Sequence, residues 1–343
     1  LSYSAGVVAS VVLALYPFHV FIETYGRQET VYGVLLSMFL FLTWLRLRET
    51  GWQSRRDVLL FAFLTGLAAL TSPQLILLTG LALLFDFATR AGQRLRVFQA
   101  GVVVALVGAV MIAPWVYRNY VALGGFVPLR DNFGLELFIG NNPESDGHTY
   151  TIPYAHPEDR YAWPHPFNHP GERQRVHDLG ELAYMREKGD MAREWIREHP
   201  SQFAGLTLRR VGLYWFPPVS TWNPKLAAKW PRSLAAWVLS AACLCGLFLV
   251  FRHRHPNRWP LLIVLLAPSL VYLVTHVNVR YRYSTVWTMA LLAGYAATCL
   301  AERLRRRGDS LPPARLETLR RRRRDHPVLP TGLKTLEPVS EIR

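Results

Sequence analysis

Two arginines that flank one tyrosine, Arg280-Tyr281-Arg282, are the residues of this chain best suited to bind an anion. A guanidinium group donates its hydrogen bonds in a planar fork that matches a phosphate, and an apolar neighbourhood strengthens that pairing. The motif follows an apolar stretch directly, at the end of a predicted helix. We predict that Arg280 and Arg282 bind a phosphate and that Tyr281 contacts the same ligand. The alternative is that each arginine only anchors a helix end among lipid headgroups.

Two further pairs of polar residues are candidates for binding, Arg118-Asn119 and Asn141-Asn142. Arg118 and Asn119 follow the apolar stretch 97–117, where they could bind a phosphate or a sugar hydroxyl. Asn141 and Asn142 follow a glycine, and asparagine amides hydrogen-bond hydroxyl-rich ligands. Both pairs have a structural alternative. An arginine at a helix end is typical of an aromatic belt at the membrane interface, and asparagines are typical turn residues.

Glu29 is an acidic residue at the start of the apolar stretch 30–45. A carboxylate at a membrane helix terminus is costly when it faces lipid, so we predict that Glu29 is a catalytic residue facing a cavity. There it could orient an acceptor, hold a sugar hydroxyl or help to bind a divalent cation. A divalent cation is the one cofactor that we consider for this chain. The alternative is a favourable charge at the N-terminus of its own helix.

Five histidines between residues 148 and 177 lie in one polar region, but we predict no metal site there. They are irregularly spaced among prolines, without the helical His-x-x-x-His pair or the paired cysteines that are typical of zinc. The three cysteines, Cys243, Cys245 and Cys299, lie in apolar stretches and indicate neither a zinc site nor a disulfide framework. The histidines are His148, His156, His165, His169 and His177.

Eight apolar stretches must position these residues, and the arginines between them fall in alternate connections. Stretches such as 97–117 and 232–251 are about long enough to cross ~30 Å of hydrocarbon as helices. Alternating arginine-rich connections are the positive-inside pattern. We therefore predict an all-α polytopic membrane protein with about eight transmembrane helices and an outer-face loop region that contains helices. The arginines concerned are Arg46, Arg48, Arg55, Arg56, Arg90, Arg94, Arg96, Arg252, Arg254 and Arg258.

The apolar stretches 58–70 and 75–87 are short and are separated by Thr71-Ser72-Pro73-Gln74. One kinked helix would fit, since membrane helices tolerate proline. It would, however, place the arginines before and after this region on opposite sides of the membrane. We predict two short or tilted helices, which keep both arginine groups on one side.

The predicted organisation has four parts, with one polar region between two groups of transmembrane helices. Within the polar region we predict a helix over 172–199 and an amphipathic interfacial helix over 203–216. The parts are 1–117 with five transmembrane helices, 118–231 as an extracytoplasmic loop with short helices, 232–301 with three transmembrane helices, and 302–343 as a basic, disordered cytoplasmic tail.

The chain has 343 residues and a formal net charge of +15, and 51% of its residues are hydrophobic. Most of the positive charge lies in short loops and in the tail. We therefore predict binding to anionic membrane lipids and no binding to nucleic acid. The sequence begins at Leu1 and is apolar at once, from which we expect further residues upstream.

Several short motifs resemble those of bacterial GT-C membrane glycosyltransferases, the relatives of protein O-mannosyltransferases and of the transferase that adds aminoarabinose to lipid A. Their order along residues 1 to about 301 is more specific than any single motif. The motifs are Tyr16-Pro17, Gln28-Glu29-Thr30, Pro114-Trp-Val-Tyr-Arg-Asn119, Gly125-Phe-Val-Pro-Leu129, the Asn-Phe-Gly…Gly-Asn-Asn-Pro segment 132–143, Gly180-Glu-Leu-Ala-Tyr184, Ile196-Arg-Glu-His-Pro200 and Arg280-Tyr-Arg282.

The resemblance implies a transferase that moves a sugar from a polyprenyl-phosphate-linked donor to a lipid, glycan or protein acceptor. It places the reaction at the outer face of the bacterial plasma membrane, with Arg280 and Arg282 near the donor phosphate and Glu29 at a second acidic position. The family's first outer loop, whose acidic residue is proposed as the general base, would lie upstream of Leu1. The alternative function is a non-catalytic transporter of lipid-linked sugars or an accessory membrane protein.

Overall fold

A computed structural model describes residues 2–16, 28–147, 165–166, 170–221 and 229–309, without the side chains of 28–31, 221 and 307–309. All regular elements within these ranges are helices, which confirms the all-α class. The helices are α1 (Tyr3–Leu15), α2 (Gln28–Glu49), α3 (Arg55–Thr71), α4 (Ile76–Thr89), α5 (Arg94–Leu123), α6 (Phe133–Gly140), α7 (Pro170–Leu179), α8 (Glu181–Glu198), α9 (Pro200–Trp215), α10 (Lys229–Arg252), α11 (Arg258–Leu266), α12 (Leu270–Val274) and α13 (Tyr283–Asp309).

The chain divides into two compact units, Leu1–Ala297 and Thr298–Arg343. The first unit contains every candidate residue for binding or catalysis. In the second, the described residues are the end of α13, so residues 302–309 are helical and do not belong to a disordered tail. The rest of the predicted tail, 310–343, lies outside the described residues.

Several helices are apolar enough to lie in a membrane. Within the described ranges, three are also long enough to cross it, namely 91–123 with α5, 229–252 with α10, and 279–306 with most of α13. Shorter apolar helices are Tyr3–Leu15, Pro73–Thr89 and Arg258–Val274. These helices support the prediction of a membrane protein, whereas the number of eight transmembrane helices stays a prediction.

The two short apolar stretches between the arginine groups form two helices, α3 and α4, as predicted. After α3 ends, Pro73 begins a single 3₁₀ turn, Pro73–Leu75. Proline cannot continue the hydrogen bonding of a preceding helix, so the chain turns at this point. The hydroxyl groups of Thr65 and Thr79 lie 2.9 Å apart across the resulting helix pair.

Helices α2, α3 and α4 pack together as a bundle, and the buried Asp86 of α4 joins both arginine groups at one end of it. Trp44 and Trp52 donate indole hydrogen bonds of 2.9 and 3.1 Å to its carboxylate. Arg48 forms an ion pair with it, and Arg90 lies 3.4 Å from it. Asp86 needs these partners because a buried charge is costly unless it is paired. The arginines before α3 and after α4 therefore lie at the same end, as predicted.

Two glycines allow close packing of the helices that surround the candidate residues. A Cβ atom at Gly246 of α10 would clash with the main-chain oxygen of Leu292 in α13. A Cβ atom at Gly140, the last residue of α6, would clash with the main-chain oxygen of Thr275. Small residues let backbones approach closely, so a larger side chain at either position would separate the packed segments.

The helix predicted over 172–199 is in fact two helices, α7 and α8. Gly180 separates them with a φ of 81°, a left-handed conformation that glycine adopts without steric cost. Lys188 of α8 is only 3% exposed and pairs with Glu172 of α7 at 2.7 Å. Tyr184 donates a 2.6 Å hydrogen bond to the same carboxylate. This cluster holds α7 against α8.

The amphipathic helix predicted over 203–216 corresponds to α9, but one of its arginines faces the interior. Arg210 is fully buried and donates hydrogen bonds to the main-chain oxygens of Gly140 and Leu273 and to the side chain of Asn141. The last carbonyl groups of a helix have no partners within it. Arg210 satisfies such carbonyls at the ends of α6 and α12 and thereby joins the two helices.

Candidate functional site

An open cavity of about 1020 Å³ lies at the end of the α2–α4 bundle that is opposite Asp86. The turn between α3 and α4, the segment before α6 and the turn before α13 form its walls. Apolar side chains such as Ile76, Leu77 and Val271 line part of it. The polar lining residues are Thr71, Ser72, Gln74, Arg130, Asn132, Glu136, Tyr272, Thr275, His276, Arg280, Tyr281, Tyr283 and Ser284.

Arg280 and Arg130 supply positive charge to the cavity. Arg280 lies in a 3₁₀ turn that begins where the side chain of Asn278 accepts a 3.0 Å hydrogen bond from the Arg280 amide. Its guanidinium carbon lies 5.4 Å from the ring centre of Tyr281. Arg130 donates a 3.2 Å hydrogen bond to the main-chain oxygen of Thr71. The two guanidinium groups come from separate segments but line one space, where both can face one anion.

Arg282 does not line the cavity. Its side chain is buried, donates a 2.7 Å hydrogen bond to Ser240 of α10 and lies 3.6 Å from the sulfur of Met289. A 3₁₀ turn has about three residues, so residues two positions apart point in different directions. The structure therefore brings Arg280, but not Arg282, to the predicted phosphate site.

Glu136 places a carboxylate beside these arginines, although it was not among the residues predicted from the sequence. Its side chain is 28% exposed, and its Oε1 accepts a 2.8 Å hydrogen bond from Asn132. Its Oε2 lies 3.3 Å from Nε2 of the buried His276. The hydroxyl of Tyr281 lies 3.1 Å from the same ring nitrogen. The cavity thus contains three connected groups that can hold and exchange a proton.

Burial raises the pKa of Glu136 above its ordinary value, and nearby groups oppose this shift in part. The charge of Arg280 lowers the pKa most, followed by the hydrogen bond from Asn132 and the charge of Arg130. The net rise means that Glu136 takes up a proton closer to neutral pH than a free glutamate does. That is the property expected of a proton acceptor that works at neutral pH.

Tyr281, predicted as a ligand contact, is part of the cavity wall. Its ring stacks on that of Tyr272, with the ring centres 3.9 Å apart and 9° between the planes. Both rings line the cavity, so they offer it an aromatic surface held in place by stacking. A ring-shaped ligand could pack against this surface.

Arg118 and Asn119 lie in the last part of α5, outside the lining of the charged cavity. Asn119 is 2% exposed and donates a 3.0 Å hydrogen bond to the main-chain oxygen of Val127. Arg118 donates a 3.0 Å hydrogen bond to the side chain of Asn119, and its guanidinium carbon lies 5.2 Å from the ring centre of Trp115. These contacts hold the chain that follows α5.

Asn141 and Asn142 are buried, and their side chains bond to the protein itself. Asn141 donates a 2.9 Å hydrogen bond to the main-chain oxygen of Val274 and accepts one of 2.9 Å from Arg210. Asn142 donates a 2.8 Å hydrogen bond to the main-chain oxygen of Phe138. Both asparagines therefore secure the end of α6, as their turn chemistry suggests, and neither lines the cavity.

Glu29 lies in the first turn of α2, but its side chain is outside the described residues. Gly33, about one turn further along α2, lines the cavity. Of the five histidines between residues 148 and 177, His165 and His177 are described. The described part of the chain contains no group of three His, Cys, Asp or Glu residues that could hold a metal ion. The remaining three, His148, His156 and His169, lie outside the described residues.

A second cavity, of about 580 Å³, is an apolar groove on α5. Pro128 lines both this groove and the charged cavity, so the two are neighbours. An apolar groove next to a charged cavity suits a ligand that has a charged head and a hydrocarbon chain. The groove is lined by Ala109, Ile112, Ala113, Val116, Tyr117, Tyr120, Phe126 and Pro128.

No family model matches this chain, and neither a curated protein nor a solved structure does. The function must therefore be inferred from the site. Two of its central residues had a signal in the sequence. Glu136 is the only charged residue of α6, and His276 ends an apolar stretch. A polar side chain in an apolar segment needs a partner, which makes each a candidate for a buried contact.

Proposed function

We propose that this chain is a membrane glycosyltransferase that moves a sugar from a polyprenyl-phosphate donor to an acceptor hydroxyl. The observation that carries the proposal is the cavity that Arg130 and Arg280 share with Glu136. The arginines suit the donor phosphate, whose negative charge grows as the sugar leaves. The carboxylate suits the acceptor, whose hydroxyl must lose a proton. A lipid, a glycan or a protein can supply that hydroxyl.

The apolar groove on α5 supports a donor that carries a lipid. With the polyprenyl chain in the groove, the phosphate would reach the charged cavity across Pro128. Tyr117 and Tyr120 of the groove are 72% and 60% exposed, and tyrosine is typical of the membrane–water interface. The hydrocarbon and the phosphate of such a donor thus each have a matching surface.

We place the cavity at the outer face of the bacterial plasma membrane. The bundle end marked by Asp86 carries Arg48 and Arg90, and the positive-inside rule assigns such an end to the cytoplasm. The cavity lies at the opposite end, beside the turn at Pro73. A lipid-linked sugar in the outer leaflet could therefore enter it.

Binding of undecaprenyl phosphate to the purified chain in lipid nanodiscs tests the donor site. Arg280→Ala should raise the Kd about tenfold or more, because a charged partner of the phosphate is lost. Arg193→Ala removes an exposed arginine of α8 and should leave the Kd unchanged. Equal Kd values for the wild type and a folded Arg280→Ala variant would contradict the donor site.

Transfer is measured with a panel of hexoses and pentoses linked to undecaprenyl phosphate, in membranes that contain the chain. A glycosyltransferase releases undecaprenyl phosphate and forms a glycosylated acceptor, and Arg280→Ala should lose most of this activity. If the chain binds undecaprenyl phosphate but releases none from any donor, the non-catalytic transporter or accessory protein is the better assignment.

A further inference from the structure

The charges that line the cavity distinguish a phosphodiester from a phosphate monoester. Among the described lining residues, Arg130 and Arg280 are positive and Glu136 is negative. A phosphodiester, as in a lipid-linked sugar, carries a single negative charge. The phosphate monoester that remains after the sugar leaves carries about two at neutral pH. An ionised Glu136 therefore repels the monoester more strongly than the diester.

The contacts of His276 provide a position for one additional proton beside Glu136. Its Nδ1 lies 3.3 Å from the main-chain oxygen of Glu136, which can only accept, so this nitrogen carries a hydrogen. Its Nε2 lies 3.3 Å from Oε2 of Glu136. The hydroxyl of Tyr281, 3.1 Å from the same nitrogen, can donate to it, and a neutral imidazole would still meet the ionised carboxylate with its lone pair. One proton between them converts the contact into a hydrogen bond.

We propose that the Glu136–His276 pair accepts the proton of the acceptor hydroxyl, and that this proton stabilises the phosphate monoester product by removing the negative charge of Glu136. This role depends on the proposed function. The acceptor oxygen forms a bond to the anomeric carbon, and the bond from that carbon to the phosphate oxygen breaks. The electron pair of the broken bond leaves with the phosphate, while the acceptor proton moves to Glu136.

The two residues of the pair have different tasks. Glu136 lines the cavity beside Arg280 and is accessible, so it can touch the acceptor. His276 is 2% exposed and is a positioning residue, because its ring holds the carboxyl group from behind and shares the proton. As the phosphate gains one negative charge during the reaction, the cavity gains one positive charge, and the product is stabilised where it forms.

Among the described residues, the charged and polar groups that face Glu136 come from several segments. Arg130 precedes α6, Arg280 and Tyr281 lie in the turn before α13, and Asn132 is on the segment that leads into α6. Among the described residues that line the cavity, Glu136 is the only carboxylate. The acidic residue nearest to it in sequence, Asp131, hydrogen-bonds to Glu181 of α8.

Two lipid probes test this inference without knowledge of the sugar: undecaprenyl phosphate, a monoester, and its methyl phosphodiester. Titrations between about pH 7.5 and 9 lie above the second ionisation of the monoester, near pH 6. In the wild type, the Kd for the monoester should rise by up to about tenfold per pH unit, and the Kd for the diester should stay constant. Calorimetry in buffers of different ionisation enthalpy should show uptake of up to about one proton with the monoester and none with the diester.

Glu136→Gln should abolish the pH dependence and bind the monoester more tightly than the wild type at the highest pH, because its cavity is permanently more positive. Its binding of the diester reports that the variant is folded. Glu194→Gln, which changes an exposed glutamate of α8, should behave like the wild type.

Equal proton uptake with both lipids in the wild type would overturn the inference and leave the donor site intact. The same holds if the pH dependence persists in Glu136→Gln. If the wild type binds neither lipid, the proposed function and the inference both fail. The wild-type calorimetry decides the question even if Glu136→Gln does not fold.

Discussion

At the residue scale, Arg280 and Arg282 show how burial separates two neighbours of the same type. Arg280 lines the cavity, where an arriving anion can pair with it. Arg282 is 2% exposed, and its Nε and Nη1 have no hydrogen-bond partner among the described residues. A buried charge with incomplete pairing is costly, so Arg282 contributes little to stability in spite of its bond to Ser240.

Arg282→Met should therefore leave the Kd for undecaprenyl phosphate within about threefold of the wild type, since rim and remote charges contribute little to bound-state affinity. It should not lower the free energy of unfolding by more than about 1 kcal/mol, because an apolar side chain replaces an incompletely paired charge. Kd titrations and thermal unfolding check both values. Lost binding of undecaprenyl phosphate at an unchanged unfolding temperature would contradict this prediction and show that Arg282 contributes to the phosphate site.

At the element scale, the position of Glu136 depends on how the short helix α6 is held. Gly140 packs against the main chain at Thr275, next to His276. Gly134 packs against the main chain of Met185 in α8. An eight-residue helix is marginal on its own. The geometry of Glu136 and His276 is therefore a product of close backbone contacts on both sides of α6.

Gly140→Ala should push α6 away from Thr275 and separate Glu136 from His276. We expect a loss of about 2 kcal/mol in stability, as for other overpacked sites, together with weaker binding of undecaprenyl phosphate. Gly212→Ala is the matched control, because no atom of another segment lies within 4 Å of a Cβ placed there. Thermal unfolding and Kd titrations provide the comparison, and equal behaviour of the two variants would refute the packing argument.

The attachment of α7 to α8 should depend on pH. Burial raises the pKa of Glu172, but hydrogen bonds from Lys188 and Tyr184 outweigh it, so the pKa lies below its ordinary value. A lowered carboxyl pKa contributes stability that is present above the unfolded-state value and is lost as the pH falls through the folded-state value. Acidification below the ordinary glutamate pKa of 4.5 should therefore release α7.

Glu172→Gln should produce the same release at neutral pH. It leaves Lys188 buried without its charge partner, which costs about 3 kcal/mol. Limited proteolysis within α7 measures the release, and Asp178→Asn, a change at an exposed acid of the same helix, should not alter the cleavage rate. Equal cleavage rates in both variants would show that the cluster does not hold α7.

At the scale of the whole molecule, the arginine-rich end around Asp86 and the charged cavity lie at opposite ends of the first unit. The arginines around Asp86 mark one end, and the charged cavity with its neighbouring apolar groove marks the other. Helix α5 begins beside the first end and ends beside the second. This polarity lets one orientation in the membrane satisfy both the positive-inside rule and access to lipid from outside.

Single cysteines at the two ends of α5 test that orientation, in a background in which Cys243, Cys245 and Cys299 are replaced. Ala91 and Ala122 are both exposed. On intact spheroplasts, a membrane-impermeant maleimide should label Ala122→Cys and should label Ala91→Cys only after the membrane is permeabilised. The opposite labelling pattern would place the cavity in the cytoplasm.

Several features of the fold were predictable because they depend on local properties of the chain. The length of apolar stretches predicts helices, Pro73 predicts the turn between α3 and α4, and arginine positions predict which ends lie together. The break at Gly180 had a visible signal too, since glycine is common where helices end. The single helix predicted over 172–199 is wrong, because the helical periodicity continues on both sides of the glycine that separates α7 from α8.

Local sequence was therefore sufficient to predict the helical class, the helix pair at Pro73 and Arg280 as a candidate for binding an anion. The packed structure was needed to show that Arg282 faces the interior, that Asn119, Asn141 and Asn142 bond to the protein, and that Glu136 contacts His276. Glu136 and His276 are 140 positions apart. Spacing along the chain determines local conformation, whereas the packing of distant segments determines which side chains share a cavity.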